Sequence, residues 1–183
     1  MVTPRARIVV FSAITAALVA TVGIAMQREL TPRPSLSPMA SVKTGSEQNA
    51  LSAEEEAYAA ALWPIHSEVV EASALDMSLA GVAYVIEHHD AHRLEARVTP
   101  LRDRFRTAAE DVRAMAVPAS MQKVHDWYLE ALALYQSASA EMVMVAADDK
   151  VEHLIEAQMM SQRAAEDLLK VGDVLWPGEY KPN

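Results

Sequence analysis

The chain contains no cysteine among its 183 residues, and this absence excludes several kinds of site. Without thiols the chain cannot form a disulfide bond, attach c-type haem covalently, or hold a thiolate zinc site or an iron–sulfur cluster. A lipoprotein signal also needs a cysteine to carry its lipid. Any domain of this chain outside the cytoplasm must therefore be held together by its hydrophobic core alone.

Sequence motifs of common enzymes are absent as well. The chain has no Gly-x-Ser-x-Gly nucleophile motif and no glycine-rich phosphate loop. Neither the Glu-x-x-His pairs of ferritin-like di-iron bundles nor the His-Glu-x-x-His helix of zinc proteases occurs. Adjacent acids such as Asp148 and Asp149 stand at predicted helix starts, where they stabilise the helix dipole without a catalytic role. We therefore expect a protein that is not an enzyme.

One long apolar run lies near the N-terminus. Residues Ile8 to Met26 form 19 positions without a charge. As a helix rising about 1.5 Å per residue, this run spans roughly 28 Å, close to the hydrocarbon thickness of a bilayer. Its length favours an uncleaved signal anchor over a cleaved signal peptide, whose best cleavage site would be Gly23-Ile24-Ala25.

The charges beside this run predict its orientation. Arg5 and Arg7 precede it on a short segment without acids, which favours keeping residues 1–7 in the cytoplasm. Residues 30–183 then face outward, whether or not the signal is cleaved. The sequence thus predicts a single-pass protein of the bacterial cell membrane with its domain in the periplasm.

Residues 27–52 have the composition of a linker. Pro32, Pro34 and Pro38 interrupt any helix, and Ser, Thr, Asn and Gly fill the gaps. At the polyproline rise of about 3.1 Å per residue, this segment reaches at most ~80 Å. The same composition also suits a strap that lies along a partner protein.

Residues 53–175 have the composition and periodicity of helices, and residues 176–183 form a tail. Only three glycines follow Ser52, which starts a capping box with Glu55. Four segments with single apolar stripes and short connections predict an antiparallel bundle. In the first helix, which Pro64 should kink or split near Leu62, steps of three and four predict one buried stripe. Its members are Tyr58, Leu62, Ile65, Val69, Ala72, Leu75, Leu79, Val82 and Ile86.

Other helix boundaries follow from capping and breaking residues. The signals are Thr99-Pro100 for the start of the second helix, Val117-Pro118 for its end, Asp149 to Glu152 for the start of the fourth, and Gly172 for its end. Trp176 in the tail is expected to pack back on the bundle.

A histidine cluster is the densest polar group. His88, His89 and His92 lie within five residues, and two of them can point the same way on a helix. A stable metal site needs a third and usually a fourth ligand, for which His125 and His153 on other helices are candidates. The alternative is a solvated helix end with His89 at the edge of the core. Copper or zinc binding is therefore a secondary hypothesis.

Methionines are the other metal candidates, because thioethers suit Cu(I). Met115, Met121 and Met142 fall on core stripes, where methionine commonly fills gaps. Met144, Met159 and Met160 should be partly exposed, which would give an adaptable contact surface rather than a copper site. Apart from the copper or zinc of the secondary hypothesis, we expect no cofactor.

Charge is unevenly distributed. Residues 53–183 carry 23 acids and 11 bases, a net charge of −12, which argues against nucleic acid as a partner. Five arginines nevertheless fall within 14 residues and make one end of the bundle locally basic: Arg93, Arg97, Arg102, Arg104 and Arg106. They suit an acidic partner or anionic headgroups, since arginine matches carboxylate and phosphate geometry. Alternatively they pair with nearby acids, namely Glu95, Asp103, Glu110 and Asp111.

Together these features favour a non-catalytic interaction protein. We expect an anchored accessory subunit of a membrane complex, with respiratory and electron-transfer complexes as candidates. Its partners are then the bilayer, through residues 8–26, and other membrane or periplasmic subunits. A small-ligand sensor is disfavoured, because only seven residues precede the apolar run.

Overall fold

The computed structural model describes residues 51–87 and 89–177. The predicted anchor at 8–26, all but the last two residues of the predicted linker, and His88 lie outside the described residues. The described part of the chain contains helices and no strand. Four long helices form it, namely α1 (Ala53–Ile86), α2 (Ala91–Arg113), α3 (Gln122–Asp148) and α4 (Glu152–Leu175), and a short 3₁₀ helix at Ala119–Met121 precedes α3. This confirms the predicted all-α fold with four helices.

Helix α1 changes its geometry partway along. It is α-helical over Ala53–Pro64, π-helical over Ile65–Glu71 and α-helical again over Ala72–Ile86. The predicted capping box is present at its start, where Ser52 N donates to Glu55 Oε2 at 2.7 Å and Glu55 N donates to Ser52 Oγ at 3.4 Å. Because proline has no N–H to continue the ladder, the α geometry ends at Pro64. The helix widens into a π turn there and continues, so the predicted irregularity is found without a split.

The buried stripe predicted for α1 is correct only at its beginning. Tyr58 and Leu62 are buried as expected, but Leu75, Leu79 and Ile86 are 52%, 48% and 71% exposed. The residues that face the core beyond Leu62 are His66, Val70, Ser73, Met77, Ala80, Gly81 and Tyr84. A π turn takes up more residues than an α turn, so core positions recur there at steps of four. Counting three residues from Leu62 to Ile65 shifts the predicted stripe off the core face.

Helix α2 begins earlier than Thr99-Pro100 predicted. Asp90 is the N-cap, and its Oδ1 accepts a hydrogen bond from Arg93 N at 3.0 Å. Pro100 lies inside the helix and frees the carbonyl of Ala96, a residue that is exposed together with Pro100. Water can therefore satisfy that carbonyl, which makes the proline tolerable. The helix also ends at Arg113, before the predicted Val117-Pro118 boundary.

The corner between α3 and α4 also differs from the prediction. Asp149 does not start α4; it adopts a left-handed conformation (φ 54°) as the C-cap of α3, and its N donates to Val145 O at 2.9 Å. Aspartate is one of the residues that tolerate this conformation. Helix α4 begins at Glu152, and Gly172 is a buried position inside it rather than its stop.

Helix α3 is the central helix of the bundle. It packs along both α2 and α4, whereas α1 packs mainly on α2 and reaches α4 through Ala53–Pro64. Phe105 of α2 stacks on Tyr135 of α3 with ring centroids 5.0 Å apart. Met121 and Met142 are buried and Met115 is half-buried, which confirms the core role predicted for them. Trp176 is 3% exposed and packs back on the bundle, also as predicted.

Within the described residues, only Ala53–Ile86 is long and apolar enough to cross a membrane by length and composition. Core helices of soluble proteins pass the same test, and this helix packs on α2. We therefore assign it to the bundle. Only 28% of its most apolar window is buried, however, so much of its apolar surface faces outward.

Candidate functional site

The exposed apolar face of α1 is the most distinctive surface feature of the bundle. It consists of five residues spaced by three, four, three and four positions, which we call the outer stripe: Ala72, Leu75, Leu79, Val82 and Ile86. Val82 is half-buried, and the other four are exposed. At 100° per residue these positions share one narrow face of a helix. The spacing is that of the a and d positions of a coiled coil.

The opposite face of the same helix is packed in the core. Ser73, Met77 and Tyr84 are buried there. Gly81 lies close to α3, since a Cβ at this position would be 3.4 Å from Met142 Cε. The C-terminal half of α1 is thus apolar on both faces, with Asp76 as the one charged residue of Ala72–Ile86. A helix that is hydrophobic all round is normally buried all round.

One edge of the outer stripe is bordered by arginines of α2. Arg104 Nη1 lies 3.9 Å from Asp76 Oδ2, and Arg93 Nη1 lies 2.6 Å from Glu87 Oε2. Arg97 also lies along this edge. Arg93, Arg97 and Glu87 line a small cleft between α1 and α2, together with Ala80, Ala83, Tyr84, Asp90 and Leu94.

The other two predicted arginines lie farther along α2. Arg106 bridges Asp103 and Glu110, at 3.3 and 3.4 Å, so part of the predicted basic patch is neutralised locally. Arg102 is half-buried, and neither it nor Arg97 forms an ion pair within residues 51–87 and 89–177. Partner binding by the five arginines stays a prediction.

The predicted histidine cluster is only partly within the described residues. His88 falls outside them. His89 adopts a left-handed backbone (φ 58°) and contacts the ring of Tyr84 edge-on at 5.1 Å. His92 is 92% exposed and lies 3.9 Å from Glu95. In the described part of the chain, no three His, Asp or Glu side chains are grouped to hold a metal ion. Metal binding by His88, His89 and His92 therefore stays a prediction.

His125 and His153, the more distant candidates, lie apart in different surroundings. His125 is buried on α3 and its Nδ1 lies 3.0 Å from Tyr58 OH. His153 sits at the α3–α4 corner, where its Nδ1 lies 2.5 Å from Glu141 Oε2. Hydrogen bonds that His153 donates to Glu141 and then to Asp148 raise the pKa of His153, because both carboxylates favour its charged form.

One buried histidine of α1 is not among the site residues that the sequence predicts. His66 is 2% exposed and lies in the π-helical part of α1. Trp176 stacks on its ring with centroids 4.9 Å apart and planes 28° apart. Trp63 and Tyr128 contact the same ring at 5.9 Å each. We call these four residues the aromatic cluster.

Two polar contacts reach His66 inside the aromatic cluster. Tyr128 OH lies 3.4 Å from Nδ1, and Glu71 Oε1 lies 3.5 Å from Nε2. Burial lowers the pKa of His66 to about 4, so the ring is neutral at pH 7. Burial also raises the pKa of Tyr128 and, less strongly, that of Glu71. The four side chains of the aromatic cluster, which carry no charge at pH 7, therefore join α1, α3 and the end of α4.

The signal for this cluster is present in the sequence but is weak. Trp63 and His66 flank Pro64, and nothing in their spacing indicates that Trp176, more than a hundred positions later, completes the group. No protein-family model, no curated protein sequence and no solved structure matches this chain.

Proposed function

We propose that this chain is a membrane-anchored, non-catalytic accessory subunit of a bacterial membrane protein complex, with its helical bundle outside the cytoplasm. The outer stripe is the observation that carries this proposal. It offers a continuous apolar surface with the spacing of a helix-packing seam, on a helix that already fills its core face.

The energetics support a contact surface at this position. Burying a leucine or isoleucine fully is worth about 1.5–3 kcal/mol, and Leu75, Leu79 and Ile86 each keep about half or more of their surface in water. Contiguous exposed apolar surface of this kind marks interaction sites in proteins that are otherwise soluble. Binding of a partner that covers the outer stripe is therefore favourable, because it buries apolar surface that stays in water in the isolated bundle.

The sequence supports the location. The run from Ile8 to Met26 has the length of a membrane helix, and Arg5 and Arg7 favour a cytoplasmic N-terminus. The 26-residue linker that follows holds the bundle near other membrane proteins. Confinement of this kind raises the effective concentration of a partner in the same membrane.

The proposal is tested in membranes of the organism that encodes the chain. A photo-crosslinking amino acid replaces Leu79 in the full-length chain, and a matched control carries it at Glu130, an exposed residue of α3. We expect the chain to stay in the membrane after alkaline carbonate extraction and to form a discrete adduct at position 79. Release by carbonate would contradict the anchor. Equal labelling at positions 79 and 130 would contradict the contact surface.

A further inference from the structure

The corner between α3 and α4 holds a histidine whose two ring nitrogens both face carboxylates. His153 Nδ1 lies 2.5 Å from Glu141 Oε2, and His153 Nε2 lies 3.3 Å from a carboxylate oxygen of Asp148. Ionised carboxylates only accept hydrogen bonds, and a neutral imidazole has a single N–H to donate. Only the protonated ring donates from both nitrogens. The geometry is therefore that of an imidazolium held between two acids.

These three side chains are not arranged to share a metal ion. Glu141 and Asp148 approach opposite nitrogens of the His153 ring, so one ion could not contact all three groups. A search of residues 51–87 and 89–177 for three grouped His, Asp or Glu ligands likewise finds none. What this arrangement binds and releases is a proton, which exchanges with water because the His153 side chain is 21% exposed.

The start of α4 depends on this histidine. The N-cap of α4 is Val151, which has no side-chain hydrogen bond to the helix, whereas α1 and α2 are capped by Ser52 and Asp90. His153 is the second residue of α4, and its contacts reach back over the last two turns of α3. Its two hydrogen bonds thus join the first turn of α4 to α3, where a capping side chain is missing.

We propose that the proton on His153 controls whether the first turn of α4 stays closed against the end of α3. With the proton bound, both hydrogen bonds are made. After the proton passes to water, the neutral ring keeps one N–H, and the second carboxylate faces a lone pair of the other nitrogen. Loss of that contact allows the turn to open. This inference concerns the bundle alone and does not depend on the proposed function.

The charged groups around the corner determine the direction of the effect. Hydrogen bonds to Glu141 and then to Asp148 raise the pKa of His153, and burial opposes them. Lys150, in the turn, has its Nζ 2.5 Å from Asp148 Oδ2. Asp148 and, more weakly, Glu152 raise the pKa of Lys150, so this lysine stays charged while His153 titrates. Lys150 therefore holds Asp148 in both states, and the proton on His153 is what changes.

The sign of the pH dependence follows from the raised pKa. The closed corner binds the proton more tightly than the open corner, in which His153 titrates near its ordinary value of 6.5. The stabilisation of the closed corner is therefore complete below pH 6.5 and is lost as the pH rises through the raised pKa. The turn should open under mildly alkaline conditions and stay closed under acidic ones.

Titration of the ring tests the first step. Magnetic resonance of the full-length chain in detergent micelles follows both ring nitrogens of His153 across pH values on either side of 6.5, with His153→Gln assigning the signals. We expect a midpoint above 6.5, and lower midpoints in Glu141→Gln and Asp148→Asn. Glu130→Gln, at an exposed acid of α3, is the matched control and should leave the midpoint unchanged. A wild-type midpoint at or below 6.5 overturns the inference.

Amide hydrogen exchange in the same sample tests the second step. Leu154 N donates to Val151 O at 2.9 Å in the first turn of α4, and Ala164 lies buried in the middle of that helix. Protection of the Leu154 amide, corrected for the intrinsic exchange rate, should fall on the order of tenfold as His153 loses its proton. Protection of the Ala164 amide should stay constant.

The remaining outcomes are decisive in the other direction. Constant protection at Leu154, or an equal fall at Leu154 and Ala164, shows that the proton on His153 does not control a local opening. His153→Gln should make the protection at Leu154 independent of pH, and an undiminished fall in that variant also overturns the inference. If the variant does not fold, the wild-type midpoint and the comparison of the two amides still decide.

Discussion

Trp176 stacks on His66 with ring centroids 4.9 Å apart, although the two residues belong to opposite ends of the bundle sequence. The contact fastens the end of α4 to the π-helical part of α1. Since α1 otherwise packs mainly on α2, this stack and its neighbours close the bundle between its first and last helices. The aromatic cluster therefore holds the first and last helices together, and its loss should lower the stability of the whole domain.

Trp176→Ala tests this structural role of the aromatic cluster. Trp176 is 3% exposed, and truncating a buried tryptophan typically costs about 3–5 kcal/mol. We expect a loss of stability in this range, measured by denaturant unfolding of the full chain in detergent. Trp127→Ala is the matched control, because Trp127 is only partly buried and lies under the Lys123 ammonium at 4.8 Å. A loss of stability no larger than that of the control would contradict this role of the aromatic cluster.

The pKa of His66 predicts how stability depends on pH. Burial lowers this pKa from 6.5 to about 4 in the folded chain. Between these values the unfolded chain binds a proton that the folded chain does not, so the free energy of unfolding decreases as the pH falls. The stabilisation is complete above pH 6.5 and lost by about pH 4, with an amplitude on the order of 3 kcal/mol. Denaturant unfolding across this range measures it.

Two other groups with shifted pKa values, His125 and Glu71, change this slope in opposite directions. Burial also lowers the pKa of His125, which adds to the loss at low pH. Burial raises the pKa of Glu71, which opposes the loss, but its half-exposed carboxylate limits that contribution. His66→Gln should flatten the slope, whereas Met159→Gln, at a 63% exposed position without a titratable side chain, should leave it unchanged. Identical slopes in both variants would assign the pH dependence to other groups.

The start of α2 can be tested by comparing two capping candidates. Asp90→Ala removes the side chain that accepts the hydrogen bond from Arg93 N, and should destabilise the domain by about 1 kcal/mol. Thr99→Ala changes a residue inside the helix, where alanine is slightly preferred, and should shift stability by no more than about 0.5 kcal/mol. Thermal unfolding compares the two. A larger loss from Thr99→Ala would support the helix start that the sequence alone predicts.

Some features of these helices can be predicted from the sequence, and others cannot. Helix number and class follow from composition and periodicity, and Ser52 and Glu55 mark the first helix start correctly. The predicted core face of α1 is wrong because both faces of this helix are apolar. The hydrophobic pattern therefore does not distinguish the core face from the outer stripe. Only His66 and Ser73 depart from apolar character on the true face, and the π turn near Pro64 shifts the count. The aromatic cluster escapes prediction because its members are brought together by tertiary packing.

Gly81→Ala tests how closely α1 approaches α3. Glycine in a helix interior costs about 0.5–1 kcal/mol relative to alanine, so the substitution gains helix stability. The new methyl group would lie 3.4 Å from the flexible end of Met142, a contact that a small rotation of that side chain accommodates. We therefore expect Gly81→Ala to raise the unfolding temperature. Gly81→Leu would force several more atoms into the packed interface between α1 and α3, and overpacking of this kind costs about 1–3 kcal/mol. If both substitutions stabilise the domain, α1 must lie farther from α3 than this contact requires, since only a loose interface tolerates the leucine.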